Sequence, residues 1–147
     1  MIIFLTGTGL TLPLILEMIF TCKSERIKAV GKTALIPGIF NVNEPIIFGL
    51  PIVLNPVMLI PFVLSPVVCV SIAYFTMKVG IVPRPTGTPV PWTLPAPFGG
   101  WMMTGSWLGG VLQIVLLVVS GVIYWPFIKM LDKQYISEEN DAKENAE

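Results

Sequence analysis

Long uncharged stretches alternate with short polar ones along this chain. Residues 1–16 carry no charge, a second uncharged stretch extends from Ile52 to Met77, and a third extends from Trp107 to Ile128 with aromatic residues near both ends. About 20 apolar residues suffice to cross a bilayer, and aromatic side chains favour its two interfaces. The pattern predicts an all-α membrane protein with about three spanning helices. The first is interrupted by Gly7-Thr8-Gly9, so it is either a span or one arm of a re-entrant hairpin.

Two further segments are apolar but rich in residues that break helices. The first, Thr33–Pro51, contains two asparagines and a glutamate bracketed by glycine and proline, and the second, Pro83–Pro97, contains six prolines. Irregular backbone at membrane depth is tolerated only where it is buried in protein or lines a cavity. We therefore predict a re-entrant or broken helix in the first segment. The second segment is too broken for a helix and is predicted to be a second re-entrant element. A proline-rich linker is the alternative for the second.

Glu44 is the only charged residue between Lys32 and Lys78. A charge at the centre of a bilayer costs roughly 2.5–3.5 kcal/mol, so a carboxylate there indicates a functional site. Transporters build such sites from discontinuous helices. We predict that Glu44 lies in a polar pocket with the neighbouring Asn41 and Asn43, and that Asn55 contributes to it. The alternative is an ordinary surface loop between two spans.

The charged residues predict the orientation. Four basic residues lie within Thr21–Lys32, and Lys129 and Lys133 follow the last uncharged stretch. Basic loops favour the cytoplasmic side, so both segments are predicted to lie there. The first is either a short interfacial helix or a solvated loop. We assign residues 1–131 to a membrane domain. Residues 132–147, with six acidic and two basic side chains, are expected to form a disordered, acidic cytoplasmic tail.

Composition supports the membrane assignment. The chain is 54% hydrophobic and 12% charged, whereas soluble domains carry about 25% charged residues. It contains no histidine, which excludes histidine catalysis and histidine metal ligands within this chain. Cys22 and Cys69 form no CxxC motif, and Cys69 is predicted to be a small core residue. We expect no metal, cofactor or catalytic residue here.

One block of sequence is highly specific. The run FNVNEPIIFGLPIVLNP at residues 40–56 resembles the signature of the membrane subunit, enzyme IIC, of the sugar phosphotransferase system. The branch it resembles is the lactose/cellobiose/chitobiose family. The basic loop before this run, the sequence VPWT at residues 90–93 and FGG at residues 98–100 resemble the same family. The resemblance covers essentially the whole chain and corresponds to the C-terminal third of the longer family subunit.

The resemblance implies a function and a set of site residues. It implies a multi-pass bacterial cell-membrane component of a phosphoenolpyruvate-dependent system that binds and translocates a β-linked disaccharide such as cellobiose. A phosphorylated IIB subunit donates the phosphoryl group, and the full-length family is expected to be homodimeric. By resemblance, Glu44 contacts sugar hydroxyls, Asn43 and Asn41 share that role, and Trp92 packs on the sugar.

The missing N-terminal spans leave other functions open. The chain is not expected to complete transport alone, because the spans that form the dimer interface and part of the pocket are absent. It is then either a truncated or vestigial membrane protein without independent activity, or a half-transporter that needs a complementary chain. A third alternative is an ion-coupled transporter in which Glu44 relays protons.

Overall fold

The computed structural model describes residues 10–50, 52 and 54–144, and the regular structure within them is entirely helical. The six helices in chain order are α1 Leu12–Phe20, α2 Glu25–Ile39, α3 Glu44–Gly49, α4 Pro56–Val79, α5 Phe98–Thr104 and α6 Trp107–Glu144. The predicted all-α membrane fold is confirmed.

Two helices of the described chain, α4 and α6, are long and apolar enough to cross a membrane. Prolines 61 and 66 lie inside α4. The predicted first span begins in residues 1–9, which lie outside the described part. Its described remainder, α1, has nine residues, whereas about 20 are needed to cross.

Helix α4 is capped at both ends by the residues that flank it. The side-chain oxygen of Asn55 accepts a hydrogen bond from the backbone N–H of Val57 at 3.0 Å. At the other end, Gly80 has a φ of 87°, a left-handed conformation that glycine adopts readily. The prediction that Asn55 contributes to the polar pocket is corrected by this geometry, because its side chain caps α4.

Helix α6 is the element against which α1, α4 and α5 all pack. Between α4 and α6, the hydroxyl oxygens of Ser65 and Ser120 lie 2.7 Å apart, and both residues are fully buried. The buried Cys69 lies in the same interface, with its thiol 3.6 Å from the carbonyl oxygen of Leu116. The prediction that Cys69 is a core residue is confirmed.

The helix continues well past the apolar stretch. Its 38 residues correspond to about 57 Å of helix, whereas the hydrocarbon core of a bilayer is about 30 Å thick. The prediction that residues 132–144 are disordered is therefore wrong. Two of the acidic side chains expected to be solvated, Asp132 and Glu139, instead bind the N-terminal end of α2.

Helix α2 begins within the basic segment Thr21–Lys32 and extends to Ile39. A helix was one of the two structures predicted for that segment, the other being a solvated loop. It packs on α1 at Gly31, where an added Cβ would lie 3.0 Å from Ile19 and 3.1 Å from Met18. After a break, α3 follows with six residues. The predicted broken helix is thus confirmed over its described part, Thr33 to Leu50.

Residues 81–97 contain no helix, as the prolines predicted. The segment nevertheless packs against the protein, because Val82 and Val90 are buried in the core formed with α4, α5 and α6. The backbone N–H of Thr86 donates to the carbonyl oxygen of Met103 at 3.0 Å. These contacts favour a packed element over a flexible proline-rich linker.

Candidate functional site

The candidate site is built around the break between α2 and α3. Asn41 has a φ of 65°, in the left-handed region that asparagine tolerates better than most residues. Its backbone N–H donates to the carbonyl of Gly38 at 3.1 Å, and that of Val42 donates to the carbonyl of Pro37 at 3.0 Å. This pair of bonds is a Schellman motif. It ends α2 at this point and turns the chain toward Asn43 and Glu44.

The side chain of Asn41 connects this break to the proline-rich segment. Its amide nitrogen donates to the backbone carbonyl oxygens of Trp92 at 2.7 Å and Leu94 at 2.9 Å. Asn41 is 6% exposed. Its amide hydrogens are therefore committed to holding two segments together. The structure brings Asn41 and Trp92 into contact through the backbone of Trp92.

Asn43 and Glu44 lie at the start of α3. Asn43 occupies the N-cap position and is 5% exposed, and Glu44 is the first helical residue. The helix faces the core through the fully buried Ile46, while Glu44 is exposed. Glu44 is therefore exposed within the described part of the chain, and its place in a polar pocket stays a prediction.

Trp92 is the fourth predicted site residue, and it is 64% exposed. Its backbone is fixed by Asn41, whereas its indole is available to a ligand. The exposed Glu44 lies three positions after Asn41 in the sequence. The arrangement thus offers a hydrogen-bonding carboxylate and an aromatic face on two segments that a single asparagine joins.

The segment carrying Trp92 continues into a tightly packed pair of helices. The backbone N–H of Gly100 in α5 donates to the side-chain oxygen of Gln113 in α6 at 2.8 Å. A Cβ on Gly100 would lie 2.4 Å from the carbonyl oxygen of Gly109, so only glycine permits this approach. Sequence reasoning missed Gln113, although a lone amide side chain in an uncharged span was the available signal.

The second feature that sequence reasoning missed lies at the opposite end of α2. The Asp132 carboxylate accepts hydrogen bonds from the backbone N–H groups of Lys23 at 3.0 Å and Ser24 at 2.9 Å. Glu139, about two turns later on α6, accepts from the Ser24 hydroxyl and from the Arg26 N–H at 3.3 Å. We call this set of contacts the α2 clamp.

Comparison with known proteins shows which family this chain resembles. Residues 1–66 match the family model described as "Phosphotransferase system, EIIC". The lichenan permease IIC component of Bacillus subtilis (strain 168) is 48% identical over 138 residues, which are 93% of this chain and 30% of that protein. The cellobiose-specific EIIC component of Geobacillus stearothermophilus is 47% identical over 138 residues, 93% of this chain and 31% of that protein.

The lactose-specific EIICB component of Staphylococcus aureus is 44% identical over 140 residues, which are 95% of this chain and 24% of that protein. A solved structure is also similar. The crystal structure of ChbC, the IIC component of an N,N'-diacetylchitobiose-specific phosphotransferase system, matches with a TM-score of 0.89 and 44% identity. That match covers 93% of this chain and 32% of ChbC.

The chain spans about 30% of the length of the first curated relatives it matches. The matches cover nearly all of its own length, including the Asn-Glu-Pro run and the proline-rich segment. The resemblance inferred from residues 40–56 is therefore confirmed. Over nearly its whole length, this chain resembles the C-terminal third of a phosphotransferase-system sugar permease, enzyme IIC, of the lactose/cellobiose/chitobiose family.

Proposed function

We propose that this chain supplies the substrate-binding part of a membrane component of a phosphoenolpyruvate-dependent sugar phosphotransferase system. Its substrate is a β-linked disaccharide such as cellobiose. The observation that carries the proposal is the Asn41 amide, whose hydrogen bonds to Trp92 and Leu94 join the two segments bearing the predicted sugar contacts. The names of the relatives support the substrate class, since they specify lichenan, cellobiose, lactose and diacetylchitobiose.

The proposed contacts divide by exposure. Glu44 and Trp92 are exposed, and we assign to them direct contact with the sugar. A carboxylate is a strong acceptor for sugar hydroxyls, and an indole face suits the apolar face of a pyranose ring. Asn43 and Asn41 are almost fully buried, so we assign to them the support of the site from beneath.

The proposed partner is a phosphorylated IIB subunit, which acts as the phosphoryl donor on the cytoplasmic side. The name EIICB of the lactose-specific relative supports a functional link between the two components. The homodimer expected for the full-length family is part of the same proposal.

The orientation belongs to the same proposal. We place residues 132–147 and the segment Thr21–Lys32 in the cytoplasm, and residues 81–97 outside. The α2 clamp supports the first assignment, because it fixes the basic segment and the α6 extension to the same end of the protein. Cysteines introduced at Glu138 and at Arg84 test it. A membrane-impermeant maleimide applied to intact cells should label the Arg84→Cys chain and spare the Glu138→Cys chain.

Sugar binding is tested on the full chain in lipid nanodiscs by calorimetric titration with cellobiose, lactose and diacetylchitobiose, with maltose as an α-linked control. Glu44→Gln should abolish binding of the β-linked sugars. Glu25→Gln is the matched control, since Glu25 is also an exposed glutamate at the first position of a helix. Equal affinity of the Glu44→Gln and wild-type chains would overturn the assigned role.

Binding and uptake measurements separate the alternative functions. A half-transporter should bind or transport a β-linked sugar only when it is co-expressed with a chain carrying the N-terminal spans of a relative. A vestigial protein should show no gain from that partner. Uptake that depends on a proton gradient and ignores phosphoenolpyruvate would favour the ion-coupled alternative.

A further inference from the structure

The α2 clamp joins two parts of the molecule that the proposed sugar site does not otherwise connect. Helix α2 carries the clamp at its N-terminal end and the Asn41–Glu44 break at its C-terminal end. Its 15 residues form a rod of about 22 Å. Because the helix is continuous between the clamp and the break, we expect the position of one end to affect that of the other.

The clamp supplies hydrogen bonds just before the start of α2 and one in its first turn. The first N–H groups of a helix have no partner within it, and the positive end of the helix dipole favours anions there. Ser24 occupies the N-cap position of α2, and Asp132, which is 9% exposed, binds the backbone just before the helix. Glu139 reaches the Arg26 N–H in the first turn. Charge-assisted bonds of this kind are stronger than neutral ones.

A third contact joins the start of α2 to α6. The guanidinium carbon of Arg26 lies 5.1 Å from the centroid of the Tyr135 ring, over its face. Tyr135 lies on α6 between Asp132 and Glu139. Three side chains of one face of α6, spaced three and four residues apart, therefore contact residues 23–26. This spacing is that of a single helical stripe.

We propose that Asp132 and Glu139 are positioning residues for the α2–α3 element, and that they hold its Asn41–Glu44 end in place from the cytoplasmic extension of α6. The assignment of a sugar site to that end rests on the proposed function. The part of the inference that concerns how α6 holds the α2–α3 element in place, which we call the mechanical part, does not rest on the proposed function, because it involves only contacts between two described segments.

The mechanical part is tested by pulsed electron spin resonance on the full chain in nanodiscs. One label pair joins the exposed positions Phe48→Cys and Met130→Cys, and so reports on α3 relative to α6. The control pair joins Val63→Cys and Met130→Cys, and so reports on α4 relative to α6. Native Cys22 and Cys69 are buried, and the chain without introduced cysteines measures their background.

Asp132→Ala should broaden the Phe48–Met130 distance distribution and leave the Val63–Met130 distribution unchanged. Asp132→Asn, which keeps one acceptor oxygen, should give an intermediate width. Glu138→Gln is the matched control for Glu139→Gln, since Glu138 is an exposed neighbour on α6. Hydrogen exchange at the amides of Arg26 and Ile27 should accelerate roughly 2- to 30-fold in the Asp132→Ala chain, the range expected for loss of an N-cap. The acceleration should be smaller in the Glu139→Gln chain, because glutamine keeps one acceptor oxygen.

The outcomes separate this inference from the proposed function. An unchanged Phe48–Met130 distance distribution in Asp132→Ala overturns the inference, whether or not the chain binds sugar. Equal broadening of the distributions of both label pairs also overturns it. Selective broadening supports it even if the wild-type chain binds no sugar, in which case the proposed function fails alone. If the wild-type chain binds cellobiose, its affinity should fall in Asp132→Ala and recover partly in Asp132→Asn. Unchanged affinity would contradict positioning of the sugar site.

Discussion

The side-chain amide of Asn41 donates a hydrogen bond to the backbone carbonyl oxygen of Trp92 over 2.7 Å, although 51 positions separate the two residues. A second bond from the same amide reaches the carbonyl of Leu94. The left-handed backbone of Asn41 ends α2, and its side chain fixes the proline-rich segment. One residue thus performs two structural tasks that different substitutions can separate.

Asn41→Gly should remove the two side-chain hydrogen bonds while keeping the left-handed backbone, which glycine adopts without strain. Because two carbonyl groups then lose their donor, we expect a loss of roughly 1–3 kcal/mol of unfolding free energy. Chemical unfolding in detergent measures it, and cleavage within residues 81–97 by a protease should accelerate. Thr93→Ala alters an exposed side chain of the same segment and should change neither readout. Equal stability of the glycine variant and the wild type would contradict the importance of this link.

The two buried serines predict an asymmetry. Ser120 has a single hydroxyl hydrogen and donates it to the carbonyl oxygen of Leu10 at 3.0 Å, so Ser65 is the donor in the 2.7 Å Ser65–Ser120 contact. Ser120→Ala removes both bonds and Ser65→Ala removes one. At about 0.6 kcal/mol for each such bond in a membrane protein, Ser120→Ala should destabilise the chain about twice as much. A double-mutant cycle should show that the two changes are not additive, and additive losses would reject this bonding pattern.

Gly100→Ala should destabilise the contact between α5 and α6. The added Cβ would lie 2.4 Å from the Gly109 carbonyl oxygen and 2.9 Å from the Gln113 side-chain oxygen. Overpacking of this kind costs roughly 1–3 kcal/mol. Gly87→Ala is the comparison, because nothing lies within 4 Å of its Cβ position and only its φ of 80° opposes the change. Thermal unfolding in detergent should give the larger decrease for Gly100→Ala, and the reverse order would show that the close approach is not limiting.

Acidification should weaken the α2 clamp through Glu139. The hydrogen bond from the Ser24 hydroxyl holds the pKa of this carboxyl below its ordinary value of 4.5, with smaller contributions from backbone N–H groups of Arg26 and Glu25 and from Lys143. A lowered pKa in the folded chain means that the stabilisation is fully present above pH of about 4.5 and is lost as pH falls through the folded value. Exchange of the Arg26 amide, corrected for its intrinsic pH dependence, should therefore rise in that acidic range. Glu139→Gln should show no such transition, and an identical transition in both chains would assign it to another group.

Sequence patterns predicted the elements better than they predicted the contacts between them. The broken helix at Asn41 and the proline-rich segment followed from local chemistry, because glycine, proline and asparagine act on their own backbone. Glu44 was predicted to lie in a polar pocket from the apolar residues around it. Within the described residues Ile46 is buried and Glu44 is exposed, since which face of a short helix meets the core depends on tertiary packing.

The acidic tail shows the same limit from the other direction. Its composition is typical of a disordered segment, yet α6 continues to Glu144. Asp132 and Glu139 bind backbone groups more than 100 residues earlier in the chain. No local pattern reveals such a partner, because a backbone N–H group leaves no trace in the sequence. Residue types predicted what each segment can do, and only the fold determined which segments meet.

The length and the contacts of α6 also set the order in which this chain can be built. Helices α1, α4 and α5 all pack on α6, which follows them in the sequence. As the polypeptide leaves the ribosome, the Ser65 hydroxyl and the Gly100 N–H emerge before their hydrogen-bond partners Ser120 and Gln113, which are synthesised later. The contacts of the described core can therefore form only after α6 has been synthesised, and until then the earlier helices depend on lipid or on the insertion machinery to cover the faces that later pack on α6.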